Sequence, residues 1–306
     1  MPVRAYHCEH ADLPLPPHHP FPFEKYRETR RRLVEAGVLH ADELRPAPAA
    51  TREQLLRAHD LAFVDTFLAG ELDADHQKRI GFPWCPELVA RCLASAGGTV
   101  AAAWDALELG GAGHLAGGTH HAHRDRAAGY CVFHDLAVAA YELLAHGQVR
   151  SVLILDLDVH HGDGTATIFA SEPRVYTASV HGAGNFPKEK PPSDLDLALP
   201  DGTEDEGYLQ AVDQVLDQAF AEARPDFVFY QAGVDPLQGD RFGRLAVSHA
   251  GLEERDRRVF RRCRQRSLPV VWTMGGGYAK PVERTVRAHC GTWRAAAEEL
   301  FGALVQ

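Results

Sequence analysis

Ser151-Val152-Leu153-Ile154-Leu155-Asp156-Leu157-Asp158-Val159-His160-His161-Gly162-Asp163-Gly164-Thr165 is the run from which the rest of the chain can be read. Its first five residues are almost wholly apolar, as in a strand buried on both faces of a parallel sheet. Two carboxylates and two imidazoles follow at alternate positions, and open α/β sheets build their sites beyond the carboxyl ends of strands. Side chains two apart on extended backbone share a face, so Asp158 and His160 are placed to converge on one ion. A turn or cap accounts for a pair of aspartates. It does not account for five ionisable groups and two glycines crowded at one strand end.

Outward from this run, strands and helices alternate. A strand near 2–7 precedes helices at about 23–37, 52–69 and 86–109. Thr51 and Gln54 form a capping box for the second helix, and Pro86 opens the third. Helix 134–146 precedes strand 151–156, and strand 174–179 follows it. Helix 206–223 leads to strand 227–231, helix 250–266 to strand 269–273, and helix 282–303 ends the pattern. No repeat or long linker divides the chain. The expected fold is α/β: a single domain over 1–306, in three α/β/α layers around a mostly parallel central sheet.

Composition limits the function. With 306 residues, 45% apolar and 24% charged, the chain is an ordinary soluble globular protein. No apolar run is long enough for a membrane span, and the start lacks a basic-then-apolar leader, so a cytoplasmic location is expected. Six cysteines without a CxxC pair predict reduced, buried thiols rather than a disulfide framework or structural zinc. A formal net charge of -10 argues against binding naked nucleic acid and fits cationic substrates or partners better. The basic residues are nearly all Arg, which with abundant Ala resembles the product of a GC-rich bacterial coding sequence.

Five further segments carry reactive groups: Gly117-Gly118-Thr119-His120-His121-Ala122, Gly129-Tyr130-Cys131-Val132-Phe133-His134-Asp135, Ala178-Ser179-Val180-His181 with Phe186 beyond it, Gln231-Ala232-Gly233-Val234-Asp235-Pro236, and Met274-Gly275-Gly276-Gly277-Tyr278. Asp158, His160 and Asp235 read as three ligands of an open, catalytic metal, for which Zn²⁺ is suited and Fe²⁺ is also compatible. Such an ion polarises a carbonyl and acidifies a water. His121 is the candidate proton acceptor, and His120 places the water and stabilises charge. Tyr278 donates to a developing oxyanion, with Gly276 and Gly277 letting the backbone fold tightly before it. Asp156 and Asp163 orient the two imidazoles.

These motifs in this order resemble the histone deacetylase family of the arginase/deacetylase fold, over nearly the whole chain. His19-Pro20-Phe21, Gly202-Thr203-Glu204-Asp205 and Gly239-Asp240-Arg241 are most similar to its class IV branch and bacterial amidohydrolase relatives. The resemblance implies Zn²⁺ on Asp158, His160 and Asp235, the paired histidines His120 and His121, and Tyr278 as carbonyl polariser. It implies a narrow acyl-lysine channel flanked by Tyr130 and Phe186, with Gly129 offering its carbonyl and Gly276 and Gly277 alongside. It also implies a structural K⁺ on Asp156, Ser179 and the carbonyls of Asp158, His160 and Val180. One departure is Trp84, which stands where class I relatives carry a backbone-gripping Asp and is expected to wall the channel. His161 and Asp163 are kept where eukaryotic class IV members tend to carry Gln and Asn.

The implied activity is zinc-dependent removal of acetyl or longer fatty-acyl groups from the lysine ε-amino group of a peptide or protein. A deacetylase for acetylpolyamines or other small acylated amines is the alternative. A non-catalytic acyl-ligand module is disfavoured because Tyr278 and the histidines are retained. Arginase-type chemistry needs a bridged metal pair, and the carboxylates for one are missing after His160. The sequence implies no direct nucleic-acid partner or membrane span, and it leaves the oligomeric state open.

Overall fold

The strands are β1 (Arg4–His7), β2 (Leu44–Pro46), β3 (Gly111–His114), β4 (Val152–Asp156), β5 (Val175–Gly182), β6 (Leu195–Leu199), β7 (Phe227–Gln231) and β8 (Val270–Thr273). All pair in parallel in one sheet of order β2-β1-β3-β8-β7-β4-β5-β6. The helices are α1 (Glu24–Glu35), α2 (Arg52–Ala58), α3 (Leu61–Ala69), α4 (Ala74–Ile80), α5 (Pro86–Leu109), α6 (Asp135–Ala145), α7 (Asp163–Phe169), α8 (Asp205–Ala223), α9 (His249–Gln265) and α10 (Val282–Phe301). The computed structural model describes residues 3–16 and 18–302. Residues 2 and 303, expected at the first strand and last helix, lie outside the described residues.

Side-chain alternation assigns each face of the sheet its own helical layer. Leu153 and Leu155 of β4, Val228 and Tyr230 of β7, and Trp272 of β8 pack with Val212 of α8, Phe260 of α9 and Trp293 of α10. Val152 and Ile154, Phe227 and Phe229, and Val271 face the other way, onto Leu55 of α2, Phe67 of α3, Val100 of α5 and Leu136 of α6. Strands apolar on both faces can only be central in such a sandwich. No helix among the described residues is long and apolar enough to cross a membrane.

The consequence for function lies in strand order. β3, β8, β7, β4 and β5 are consecutive neighbours in the sheet, so their carboxyl-terminal loops line one edge. The His120–His121, Tyr278, Asp235, Asp158–His160 and Ser179–Val180 segments, scattered over some 160 positions, all belong to this edge.

The structure departs from the expected elements at β2, α4 and β6, which form where no element is expected, and in three further places. The helix expected over 52–69 is two helices, because His59 is extended and buried between α2 and α3. Its Nδ1 lies 2.9 Å from the His123 carbonyl, and its Nε2 accepts from the His134 N–H at 2.9 Å. Tertiary bonds here override local propensity. β3 (Gly-Ala-Gly-His) has no strand signature, yet it is the seam between β1 and β8. A Cβ on Gly113 would lie 2.4 Å from both Trp272 and Trp293, so the indoles fill the space that a side chain would take. Asp163, expected on a loop, opens α7.

Arg255 braces the site from below. It is fully buried on α9 with Asp256, and its guanidinium donates to the carbonyls of Leu157 (3.2 Å) and Gly233 (2.6 Å). Those carbonyls belong to the loops after β4 and β7. Asp256 in turn accepts from Tyr230 and Thr292, at 2.5 and 2.7 Å. Removing one partner of such a pair leaves a buried charge uncompensated. Arg255→Met is therefore expected to destabilise the fold by about 3–5 kcal/mol, read as a fall in the urea midpoint.

Candidate active site

Asp156, the last residue of β4, is followed by a turn in which Asp158 and His160 face Asp235 from the loop after β7. Each of these three carries one ligand atom within 4.8 Å of the others. Hydrogen bonding determines which atoms are free. Asp158 Oδ2 accepts from Gln231 Nε2 and Gly276 N–H, both at 2.9 Å, while Oδ1 accepts from His160 N–H at 3.0 Å and also faces His160 Nδ1 at 3.0 Å. Asp235 Oδ1 accepts from Val159 N–H at 2.9 Å. Its Oδ2 is buried without a hydrogen-bond partner, 3.1 Å from His160 Nδ1.

Burial and the charge of Asp158 raise the Asp235 carboxyl above its ordinary range. Two buried carboxylates facing one imidazole, with an orphaned oxygen between them, fit a divalent cation. Glycine keeps that space open, since a Cβ on Gly233 would lie 2.0 Å from Asp158 Oδ2 and one on Gly276 2.0 Å from Asp235 Oδ2.

The Gly117-Gly118 turn after β3 swings both histidines into the same cleft. Asp135 fixes this turn, accepting from Gly118 N–H (3.0 Å), Thr119 N–H (2.8 Å) and Thr99 Oγ1 (2.6 Å). The turn packs backbone to backbone on the other glycine loop, where a Cβ on Gly118 would lie 2.7 Å from the Gly275 Cα. His120 and His121 have ring centroids 4.1 Å apart. His120 Nδ1 meets Asp156 Oδ2 at 2.7 Å, and His121 Nδ1 meets Asp163 Oδ1 at 2.6 Å. Burial opposes the charged form of His120, but Asp156 and Asp158 outweigh it and push its pKa up to about 9. Burial and the neighbouring His120 push His121 down to about 4, against the pull of Asp163.

Tyr278 is held by its backbone, whose N–H donates to Asp240 Oδ2 at 2.6 Å. Burial, then the carboxylates of Asp235 and Asp158, hold its phenol well above the ordinary value, so the hydroxyl stays a donor.

The cleft over these groups has a volume of about 700 Å³ and is lined by Gly129, Tyr130, Phe186, Gly276 and Tyr278 together with His120, His121, Asp158 and His160. Tyr130 has φ +66°, and a Cβ on Gly129 would lie 2.7 Å from the His121 ring, so glycine is required there. Phe186 is half exposed, its ring centroid 4.9 Å from that of His121. A second hollow of about 840 Å³ shares Phe21, Tyr26, Arg241 and Tyr278 with the cleft but contains no candidate metal ligand.

Two residues expected at the channel are placed elsewhere. Trp84 does not line the cleft: its indole N–H donates to the Phe67 carbonyl at 2.8 Å, and its ring lies over Gly70 at the end of α3. Gly277 faces Val234, Thr285 and His289 beneath the loop. Asp156 and Ser179 are register partners on β4 and β5, with Val180 fully buried beside them. His161 points away from Asp163, its Nε2 lying 3.2 Å from Asp196.

Sequence reasoning missed Lys25, Gln231, His123 and Asp240. Lys25 of α1 is fully buried, donating to the carbonyls of Gly275 (3.0 Å) and Gly277 (3.4 Å), with Nζ 5.1 Å from the Tyr278 ring. Burial lowers its pKa to about 8. His123 shares Asp163 with His121, at 3.1 Å from Oδ2. A lysine on an amphipathic helix gives no sequence signal of such burial. Asp240 gave one, since it precedes Arg241 within a recognised motif.

The pattern of the histone deacetylase domain matches residues 19–293. An uncharacterized protein of Picosynechococcus is 42% identical over 292 residues, covering 95% of this chain and 97% of its own. Histone deacetylase clr6 of Schizosaccharomyces pombe is 31% identical, over 90% of this chain and 71% of its own. Histone deacetylase 2 of Arabidopsis thaliana is 28% identical, over 88% and 72%. Among solved structures, that of an HDAC homolog complexed with SAHA superposes with a TM-score of 0.82 at 23% identity, covering 99% of this chain and 89% of that one. At that identity the likeness speaks for the fold.

Proposed function

The chain belongs to the histone deacetylase family of deacetylase hydrolases, and on that footing we propose that it is a zinc-dependent amidohydrolase removing acetyl or longer fatty-acyl groups from the lysine ε-amino group. The observation that carries this reading is the convergence of Asp158 Oδ1, His160 Nδ1 and Asp235 Oδ2 below an aromatic-walled cleft that also holds two imidazoles and a phenol. A Zn²⁺ held by those three atoms would supply Lewis acidity to the acyl carbonyl and to the attacking water.

The remaining chemistry belongs to the chain. His121, held neutral, takes the proton of the attacking water and returns one to the leaving amine. His120, held charged, stabilises the negative charge that develops. The Tyr278 hydroxyl donates to the acyl oxygen. Tyr130 and Phe186 flank the lysine stem, and the Gly129 carbonyl accepts from the substrate amide. A K⁺ on Asp156, Ser179 and the carbonyls of Asp158, His160 and Val180 would hold the loop after β4 in place.

The test is turnover of matched peptides carrying acetyl-lysine or myristoyl-lysine by zinc-loaded protein, with Tyr278→Phe as control. The substitution is expected to lower kcat by about 10²–10³, as for loss of an oxyanion donor, with little change in KM. The ratio of the two wild-type rates assigns the acyl preference. No turnover of either peptide, with metal bound and the fold intact, would overturn the lysine assignment.

A further inference from the structure

The mouth of the cleft has the opposite charge to the molecule. The chain carries a formal net charge of -10, so an average patch of its surface is acidic. Yet the charged side chains around the cleft are Lys78, Arg79, Arg241 and Arg244, and the one carboxylate in its lining is Asp158 on the floor. All four cations are exposed. Arg244 is paired with Asp201 at 3.3 Å. Lys78, Arg79 and Arg241 have no ion-pair partner among the described residues.

They come from two separate segments of the cleft lining. Lys78 and Arg79 end α4, whose backbone is tied to the channel wall: Gly129 N–H donates to the Arg79 carbonyl at 3.1 Å and Tyr130 N–H to the Ile80 carbonyl at 3.0 Å. Arg241 lies in the loop after β7, with its guanidinium 5.3 Å from the ring of Phe242 and one N–H directed to the Pro20 carbonyl at 3.3 Å. Phe242 in turn packs on Tyr278 at 4.9 Å. These three cations line the same cleft as Asp158 and His160, where the residues flanking an inserted acyl-lysine would meet them.

We propose that the mouth selects acyl-lysines set in acidic sequence, with Lys78, Arg79 and Arg241 receiving carboxylates that flank the modified residue. This rests on the acyl-lysine reading given above. It reverses the expectation, drawn from net charge alone, of a cationic substrate. An acetylated polyamine would bring like charge to the rim, where like-charge juxtaposition is unfavourable. A nucleic acid is the poorer occupant, because three cations around a narrow channel on an acidic protein give no backbone-length positive track.

Rim charges act mainly on encounter and are screened by salt. Peptides sharing one acyl-lysine, flanked by Asp and Glu, by Ser and Gly, or by Lys and Arg, are therefore expected to differ in kcat/KM. The acidic peptide should lead the basic one by about 10-fold at low salt, through KM, with the difference collapsing in 0.5 M salt. In the variant Lys78→Glu, Arg79→Glu, Arg241→Glu the order should reverse, and this ratio is internal to each protein and unaffected by a loss of folded material. Arg150→Glu, away from the cleft, should leave the order as in the parent. Turnover of all three peptides at equal kcat/KM, or a basic preference in the parent, would overturn this proposal and leave the lysine reading standing. Absence of turnover on every peptide by metal-loaded protein would overturn the lysine reading, and this proposal with it.

Discussion

Asp235→Ala is expected to cost about a thousandfold or more in turnover and to remove tightly bound metal in the same step. A Lewis-acid metal supplies several kcal/mol of transition-state stabilisation, and each 1.36 kcal/mol is tenfold in rate, which gives about 10³. The substitution removes two things at once. Oδ2 is the oxygen with no hydrogen-bond partner beside His160, and Oδ1 is the acceptor that secures Val159 N–H in the loop after β4. Asp235→Asn separates them, since an amide oxygen can still accept from Val159 while the anionic ligand is gone. Elemental analysis after dialysis, kcat on an acetylated peptide and the urea midpoint give the three readouts. The Asn variant should lose metal and rate, while its midpoint holds or rises relative to the metal-stripped parent, because it no longer sets a carboxylate against the buried Asp158. Full metal content and wild-type rate in Asp235→Ala would sink the ligand assignment.

The legible part of this site is the part that local chemistry dictates. The run from 151 to 165 announces its strand through an apolar stretch and its loop through clustered carboxylates and imidazoles, and β4 with Asp158 and His160 lies where that reading puts it. The illegible part depends on distant neighbours. β3 becomes a strand because Trp272 and Trp293 occupy the space its glycines leave. The helix expected over 52–69 breaks because His59 is claimed by His123 and His134. Lys25 is buried by carbonyls 250 and 252 positions away, which no periodicity in α1 encodes. Trp84 follows the same logic: the sequence places it beside a family motif, but its N–H is taken by the Phe67 carbonyl and the ring goes with it.

The second large effect follows from two adjacent imidazoles held in opposite protonation states. His120 is pushed up to about 9 because Asp156 and Asp158 outweigh its burial, and His121 is pushed down to about 4 by burial and by the neighbouring His120. At neutral pH only His121 is free to accept a proton, and pairs of groups driven apart in this way divide into acid and base. His121→Ala is therefore expected to lower kcat and kcat/KM alike by about 10²–10⁴. The pH profile tests the role beyond the loss itself. As pH falls towards 4 the parent's His121 becomes protonated and its rate declines, whereas the alanine variant should lack that acid limb. Asp163→Asn removes the carboxylate that supports the charged form of His121, so its limb should move to lower pH with a loss of about 10–100-fold in rate. Stability obeys the same sign. His121 binds its proton less well folded than unfolded, so its contribution is complete above its unfolded value of 6.5 and is lost as pH falls through about 4. An alanine variant within a few-fold of the parent, or one retaining the same acid limb, would take the proton-transfer role away from His121 and leave it a residue that only shapes the cleft.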